Sequence, residues 1–197
     1  MNQLNRESIS PPRREDTADT GPPREAVILT TGVAALIRRA TPADLADLET
    51  LHDNLSPTSI RHRYLAAKRP NAEVAAALAM PRARGDNRLV AVGSRWPKPV
   101  AFGYYVVTEP GRCGRAELGM VVADRFQGMG VGRALFRELA LAAREDELAV
   151  LQLQVSVDNA AAIAAFRGAG IPHRARSSRG LVDMSFDLTL SDRLLDD

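Results

Sequence analysis

A glycine-rich turn between an apolar run and a helical pattern constrains this chain more than any other feature. Residues 127–132 read Gln-Gly-Met-Gly-Val-Gly, after the apolar run 118–122 and before a helical pattern over 133–144. At such a helix start several backbone N–H groups have no intrahelical partner, and the helix dipole adds positive potential. The three glycines carry no Cβ that would keep a ligand from the backbone. The segment predicts a site for a phosphorylated ligand, and a turn that serves packing alone is the alternative.

Two common nucleotide-binding motifs do not fit this turn. The dinucleotide fingerprint G-x-G-x-x-G needs a third glycine at an offset that this segment does not provide. That fingerprint also follows the first strand of a parallel unit, whereas the strand here comes late in the domain. The phosphate loop G-x-x-x-x-G-K-[ST] is excluded because the chain contains no Gly-Lys-Ser or Gly-Lys-Thr.

The turn instead meets the pattern Gln/Arg-x-x-Gly-x-Gly/Ala through Gln127, Gly130 and Gly132, and there the chain resembles the GNAT superfamily of acyl-CoA-dependent N-acyltransferases. Segment 116–124 is similar to the strand before the family's pyrophosphate turn, and 151–171 to the next strand and helix. The resemblance implies the GNAT fold. This is an α/β (α+β) architecture whose mixed, mostly antiparallel sheet has about six or seven strands, with helices on both faces.

Composition and local signals divide the 197 residues into three parts. Residues 1–26 are rich in proline and charge, so they are predicted to be a disordered leader. Residues 27–190 are predicted to form the folded domain, which the resemblance implies is a GNAT acetyltransferase domain, and residues 191–197 a C-terminal tail. Helix-start signals at Thr41-Pro42, at Ser56-Pro57 and at Asn71 predict three early helices.

Charge and composition exclude several classes of partner. A net charge of +2 without a clustered basic face argues against nucleic acid. The chain has no apolar run of the ~18 residues that would span a membrane. The single Cys113 makes the reducing cytoplasm the default location. The three histidines lack metal-ligand spacing, so no metal is expected.

Transfer of an acyl group from a thioester to an amine needs a base, because an amine with a pKa of ~10.4 is protonated at pH 7. Glu117 is the candidate, since it lies among apolar residues on the strand before the turn, where Glu is uncommon. Alternation places it on one face with Gly119 and Val121, and its carboxyl is expected to be partly buried. A glutamate on this strand is a common base in the family. A solvated or ion-paired side chain is the alternative.

The resemblance also implies how acetyl-CoA, the expected co-substrate, is held. The strand backbone is expected to pair with the pantetheine arm, and an N–H near Met120 to face the thioester carbonyl. Asn159 is a helix N-cap that in the family also contacts pantetheine. Phe166 stands where many relatives carry a tyrosine that protonates the thiolate, so no general acid is assigned. The predicted cofactor-binding residues are Met120, Val121, Val122, Gln127, Gly128, Met129, Gly130, Val131, Gly132, Arg133 and Asn159.

The acceptor is suggested by the segment Leu55–Leu65, which begins Leu-Ser-Pro and resembles bacterial protein lysine acetyltransferases. The expected reaction is direct attack of a primary amine on acetyl-CoA, with a protein lysine as the favoured acceptor. A small-molecule amine, amino-acid or antibiotic N-acetyltransferase and a non-catalytic acyl-CoA-binding regulator are the alternatives. Arg61, His62 and Arg63 either meet an acidic acceptor surface or stay solvated, and solvation is favoured. The oligomeric state is open, with a homodimer among the options.

Overall fold

The structure is a computed structural model that describes residues 25–28, 34–65, 88–93, 98–111 and 113–190. Two short 3-10 turns lie at Pro42–Asp44, directly before the first helix, and at Asp124–Phe126, directly before the glycine-rich turn. The strands and helices run in the order β1 (Glu25–Ile28), β2 (Ala34–Arg39), α1 (Leu45–Asp53), α2 (Pro57–Tyr64), β3 (Arg88–Gly93), β4 (Pro99–Glu109), β5 (Gly114–Val122), α3 (Val131–Glu145), β6 (Leu148–Ser156), α4 (Ala160–Arg167), β7 (His173–Ser178) and β8 (Leu181–Asp187).

The predicted domain boundaries stay a prediction, because much of the leader and all of the tail lie outside the described residues. β1 begins at Glu25, slightly before the predicted start of the domain at residue 27. Residues 1–24 of the predicted leader, the predicted helix after Asn71 and the predicted tail 191–197 lie outside the described residues. Within the described ranges, every helix is too short or too polar to cross a lipid bilayer.

The described strands form one eight-stranded sheet in the order β1-β2-β3-β4-β5-β6-β8-β7. The predicted mixed, mostly antiparallel sheet is confirmed, because every neighbouring pair of described strands is antiparallel except β5 and β6. The sheet has more strands than the expected six or seven, since the short apolar run near Val27 adds β1 as an edge strand beside β2. The parallel pair is joined by α3, as a parallel crossover requires.

The parallel pair β5–β6 comes apart midway, and this divergence positions the site. Pairing runs from Gly114↔Leu148 to Glu117↔Gln152 and goes no further. β5 nevertheless continues to Val122, where β4 still pairs with it, and β6 continues to Ser156 against β8. Each strand is therefore held by its outer neighbour while a gap opens between them.

Helices cover both faces of the sheet, as predicted. Along β4, Ala101 and Tyr105 face the main core beneath α3, whereas Phe102 faces a smaller core with Leu48 and Leu51 of α1. This alternation is the period of a β-strand. Burial of each large apolar side chain contributes about 1.5–3 kcal/mol, so the two cores hold α1 and α3 against opposite faces of the sheet.

The start of α1 is anchored by a partly buried ion pair. Arg38 donates two hydrogen bonds to the Asp44 carboxylate, at 2.8 and 2.6 Å. Asp44 also accepts from the backbone N–H of Thr41 at 2.9 Å, the predicted helix-start residue. Burial alone would raise the pKa of the Asp44 carboxyl, but the hydrogen bonds from Arg38 and Thr41 outweigh it and hold that pKa below its ordinary value. The pair ties β2 to α1.

Candidate active site

A cleft of about 480 Å³ lies in the gap between β5 and β6. Its volume is in the range of small-molecule and cofactor sites. β5 and β6 form its floor, the glycine turn closes one end, and α2 and α4 form its sides. The lining residues on which the argument depends are Ser59, His62 and Arg63 of α2, 118–122 of β5, Gln127, Gly128, Gly130, Gly132 and Arg133 around the turn, 153–155 of β6, and Asn159 and Phe166.

The glycine turn adopts a backbone that side chains disfavour. Gly128 has φ +73° and Gly130 has φ +89°, both in the left-handed region. An added Cβ at Gly128 would meet no atom within 4 Å, so the backbone angle and not space accounts for glycine there. Gly130 is the residue before α3, and no side chain caps the helix at this point. The first N–H groups of α3 therefore lack both a helical partner and a side-chain cap, which suits an anion.

Most of the predicted cofactor-binding residues line the cleft, and two do not. Val131 is 1% exposed and belongs to the main core. Met129 is half-buried and packs against the same core. Their apolar side chains anchor the turn from below, so only their backbone groups could contact a ligand. Asn159 is confirmed as a helix N-cap, because its side-chain oxygen accepts from the Ala162 N–H at 3.1 Å.

Gln127 has a role within the protein that was not predicted. Its side-chain Nε2 lies 3.1 Å from the Val122 carbonyl, 3.1 Å from Ser59 Oγ and 3.2 Å from Asp124 Oδ1. The amide thus joins the turn to the end of β5 and to α2. Its predicted contact with a pyrophosphate stays a prediction, and the side chain's hydrogen bonds to protein acceptors argue for a supporting role.

Asp124 is the centre of this link, and sequence reasoning missed it. Its carboxylate accepts from the Ser56 N–H at 2.7 Å, from the Ser56 hydroxyl at 3.2 Å and from the Ser59 hydroxyl. Burial acts to raise the pKa of Asp124, but the hydrogen bonds from Ser59 and Ser56 outweigh it and lower that pKa. The local signal at Ser56-Pro57 identified the start of α2, whereas its partner lies 68 residues away in the sequence. We name the Ser56, Ser59, Asp124 and Gln127 side chains the α2–turn cluster.

We expect Asp124→Asn to loosen α2 and the turn together. The free energy of unfolding at pH 7 should fall by up to about 1 kcal/mol, because the group is exposed. A lowered folded-state pKa means that the contribution of the carboxylate is complete above the ordinary aspartate pKa of about 3.9 and disappears as the pH falls through the folded value. Urea unfolding at pH 7, 5 and 3 measures this, with Asp47→Asn, in the exposed pair with Lys98, as the control. A deficit of equal size at every pH would contradict the assignment.

Glu117 is exposed and does not line the cleft, so the expected partial burial is wrong for the described structure. Its cross-strand neighbour on β4, Val106, is 40% exposed, which shows that no described helix covers this part of the sheet face. The other expectation is met, since Gly119 and Val121 face the α1 and α2 side together with Glu117. Glu117 adjoins Leu118, which lines the cleft, and it forms the last pair before β5 and β6 diverge.

Among the described aromatic residues near the cleft, no general acid can be assigned. Phe166 is buried and packs edge-to-face on Phe136, with 5.0 Å between ring centroids. Tyr105 lies in the main core, where its hydroxyl donates to Asp146 Oδ2 at 2.5 Å. Tyr104 accepts a hydrogen bond from Arg63 at 3.1 Å. Within the described ranges, no tyrosine lines the cleft and no group of three or more His, Cys, Asp or Glu side chains could hold a metal.

A family model described as the acetyltransferase (GNAT) family matches residues 49–171, more than half of the chain. None of the curated proteins matches the sequence significantly.

Solved structures share the fold over almost their whole length. The GNAT domain of S. lividans PAT is 25% identical, with a TM-score of 0.70, and the match covers 83% of this chain and 96% of that one. A ribosomal-protein-alanine N-acetyltransferase from Brucella melitensis is 27% identical, with a TM-score of 0.58 and coverage of 77% and 99%. A putative acetyltransferase from Salmonella typhimurium, solved with its cofactor acetyl-CoA, is 19% identical, with a TM-score of 0.59 and coverage of 83% and 99%.

Proposed function

This chain belongs to the acetyltransferase (GNAT) family, and on that premise we propose that the amine it acetylates is the side chain of a protein lysine. Family membership makes it an acyl-CoA-dependent N-acyltransferase with acetyl-CoA as the co-substrate. The choice of a protein lysine depends on one observation. The segment Leu55–Leu65, which resembles protein lysine acetyltransferases, forms α2 and places Ser59, His62 and Arg63 in the cleft wall.

We assign the diphosphate of acetyl-CoA to the glycine turn. The left-handed backbone at Gly128 and Gly130 supports this assignment, as does the uncapped start of α3. Arg133, in the first turn of α3, adds a positive charge to the same wall of the cleft. Charge-assisted hydrogen bonds contribute about 1.5–3 kcal/mol each, so a few of them could anchor the ligand.

The pantetheine arm would then lie along β5 between Met120 and Val122. The main-chain groups of β5 are released from β6 there, and a peptide-like arm can pair with them in the manner of an added strand. In this position the thioester carbonyl lies near the backbone N–H of Met120. That donor can stabilise the oxygen as negative charge develops on it.

In the reaction the amine nitrogen attacks the thioester carbon, a C–N bond forms, and the C–S bond breaks to release a thiolate. Glu117 is the base that we assign to the proton lost by the nitrogen. The transfer would pass through water, because the carboxylate is exposed just outside the cleft lining. Freeing the lone pair of a lysine-like amine at pH 7 costs about 4–5 kcal/mol, which is why a positioned base matters.

Labelled acetyl-CoA tests the choice of acceptor. We expect incubation with an undialysed cell lysate to put the label on lysine side chains in the protein fraction, identified by peptide mass spectrometry. The matched control is the Gly130→Asp variant, whose turn should not hold the co-substrate. Label found only in small amides, with the protein fraction blank, would replace the protein lysine with a small-molecule amine as the acceptor.

A further inference from the structure

Arg63 lies over a glycine on the face of β5 that carries Glu117. Its Nη2 is 2.6 Å from the position that a Cβ on Gly119 would occupy, so the guanidinium occupies the space left by the missing side chain. The same Nη2 donates to the Tyr104 hydroxyl at 3.1 Å, and Cζ lies 5.7 Å from the Tyr104 ring centroid. Tyr104 pairs with Gly119 across β4 and β5. The half-buried Arg63 is therefore packed against the sheet, and the predicted solvation of this side chain is wrong.

The position of Arg63 along β5 is set by the contacts that α2 makes at both of its ends. The N-terminal end of this helix is held at the turn by the α2–turn cluster, and its C-terminal end lies over Gly119. Strand geometry puts residues two apart on one face roughly 7 Å from each other. The guanidinium thus lies about one such step from Glu117, at the end of the cleft away from the turn.

The described cleft lining is cationic at both ends. Its ionisable side chains are His62, Arg63 and Arg133, and no Asp or Glu of the described residues is among them. Arg133 lies beside the glycine turn, where its positive charge is explained by the diphosphate that we assign to the turn. The end with His62 and Arg63 lies beside the proposed thioester position instead. Glu117, on the same face of β5, is assigned to the amine itself, whereas the Arg63 guanidinium would attract an anion that the acceptor carries near that amine.

We propose that Arg63 is a specificity-determining residue that binds a carboxylate of the acceptor, so that the modified lysine is one flanked by an acidic residue. This inference rests on the proposed function, which supplies the lysine. A guanidinium is suited to the task because its planar N–H pairs match a carboxylate in a bidentate arrangement, which an ammonium cannot reproduce. A free amino acid would offer the same carboxylate from a different source.

Matched acceptors test this proposal. Peptides with one lysine next to Glu, and the same peptides with Gln in place of Glu, are compared by kcat/KM at saturating acetyl-CoA. We expect the enzyme to prefer the Glu peptide on the order of tenfold, as for one charge-assisted pair. Arg63→Met should bring the ratio close to one, and Arg63→Lys should give an intermediate ratio.

Arg61→Met is the matched control, because Arg61 is exposed on the same helix and lies outside the cleft lining. It should keep the full preference, and an equal loss in this variant would reduce the effect to general charge and overturn the proposal. So would equal use of both peptides by the unaltered enzyme, or an unchanged ratio in Arg63→Met. If that variant does not fold, Tyr104→Phe, which removes the hydrogen bond to Arg63, should lower the ratio.

A second pair of acceptors separates this inference from the proposed function. Amino acids and their carboxamides are assayed beside the peptides with the same variants. If only these small amines are acetylated, the protein acceptor is wrong. A preference for the carboxylate that disappears in Arg63→Met would still support the role of Arg63, and its absence would overturn it. Transfer to none of these acceptors would overturn both proposals.

Discussion

Gly130→Asp is expected to abolish the binding of acetyl-CoA. At φ +89° a residue with a side chain costs about 1–2 kcal/mol of strain. The larger effect is electrostatic, because the new carboxylate would stand at the start of α3, where we assign the diphosphate. Like charges in a partly enclosed site cost several kcal/mol, and 1.4 kcal/mol corresponds to tenfold in affinity. We expect the Kd from isothermal titration calorimetry to rise at least about a hundredfold.

Two further variants separate charge from backbone strain. Gly130→Asn has nearly the same shape as the aspartate without its charge, and it should weaken binding far less. Gly180→Asp introduces the same residue at φ +79° in the β7–β8 hairpin, which does not line the cleft, so it should bind acetyl-CoA normally. Unchanged affinity in Gly130→Asp would show that the turn is not the diphosphate site.

Glu117→Gln should reduce acetyl transfer at least about tenfold while the affinity for acetyl-CoA changes little. General base catalysis contributes about 10²–10⁴-fold in rate, and part of this survives when bulk water can take the proton from an exposed position. The amide keeps the size of the side chain but cannot accept the proton. Initial rates at saturating acetyl-CoA, together with a binding titration, measure the two quantities separately.

The control for this variant is another exposed strand glutamate. Glu109 lies at the end of β4, 3.4 Å from Arg115 and outside the cleft lining. Glu109→Gln should transfer acetyl groups at the unaltered rate. If Glu117→Gln is equally active, Glu117 loses its role as base and the proton goes to another acceptor.

The elements that the sequence predicted well are those with strong local signals. Ser56 and Pro57 mark the start of α2, and the Ser56 side chain accepts from the Ser59 N–H as an N-cap should. Asn159 does the same for α4. Such caps involve residues three positions apart, so a single sequence contains all the information they need.

The interactions that sequence reasoning missed connect distant parts of the chain. Asp124 binds Ser56 and Ser59 across 68 and 65 residues, and no local pattern around Asp124 indicates that contact. The predicted partial burial of Glu117 was wrong for a related reason. Alternation gives the face on which a strand residue lies, but what covers that face depends on where separate helices end, and α2 ends over Gly119.

The divergence of β5 and β6 sets stability against affinity. Beyond Glu117 and Gln152 the two strands no longer pair, so main-chain groups that a continuous ladder would join to each other are left to other partners. Mutations that extended the pairing of β5 with β6 would strengthen the sheet. They would also remove the hydrogen-bond partners that a peptide-like ligand needs. Selection for higher stability is therefore opposed between β5 and β6, because the fold and its ligand compete for the same few backbone amides and carbonyls.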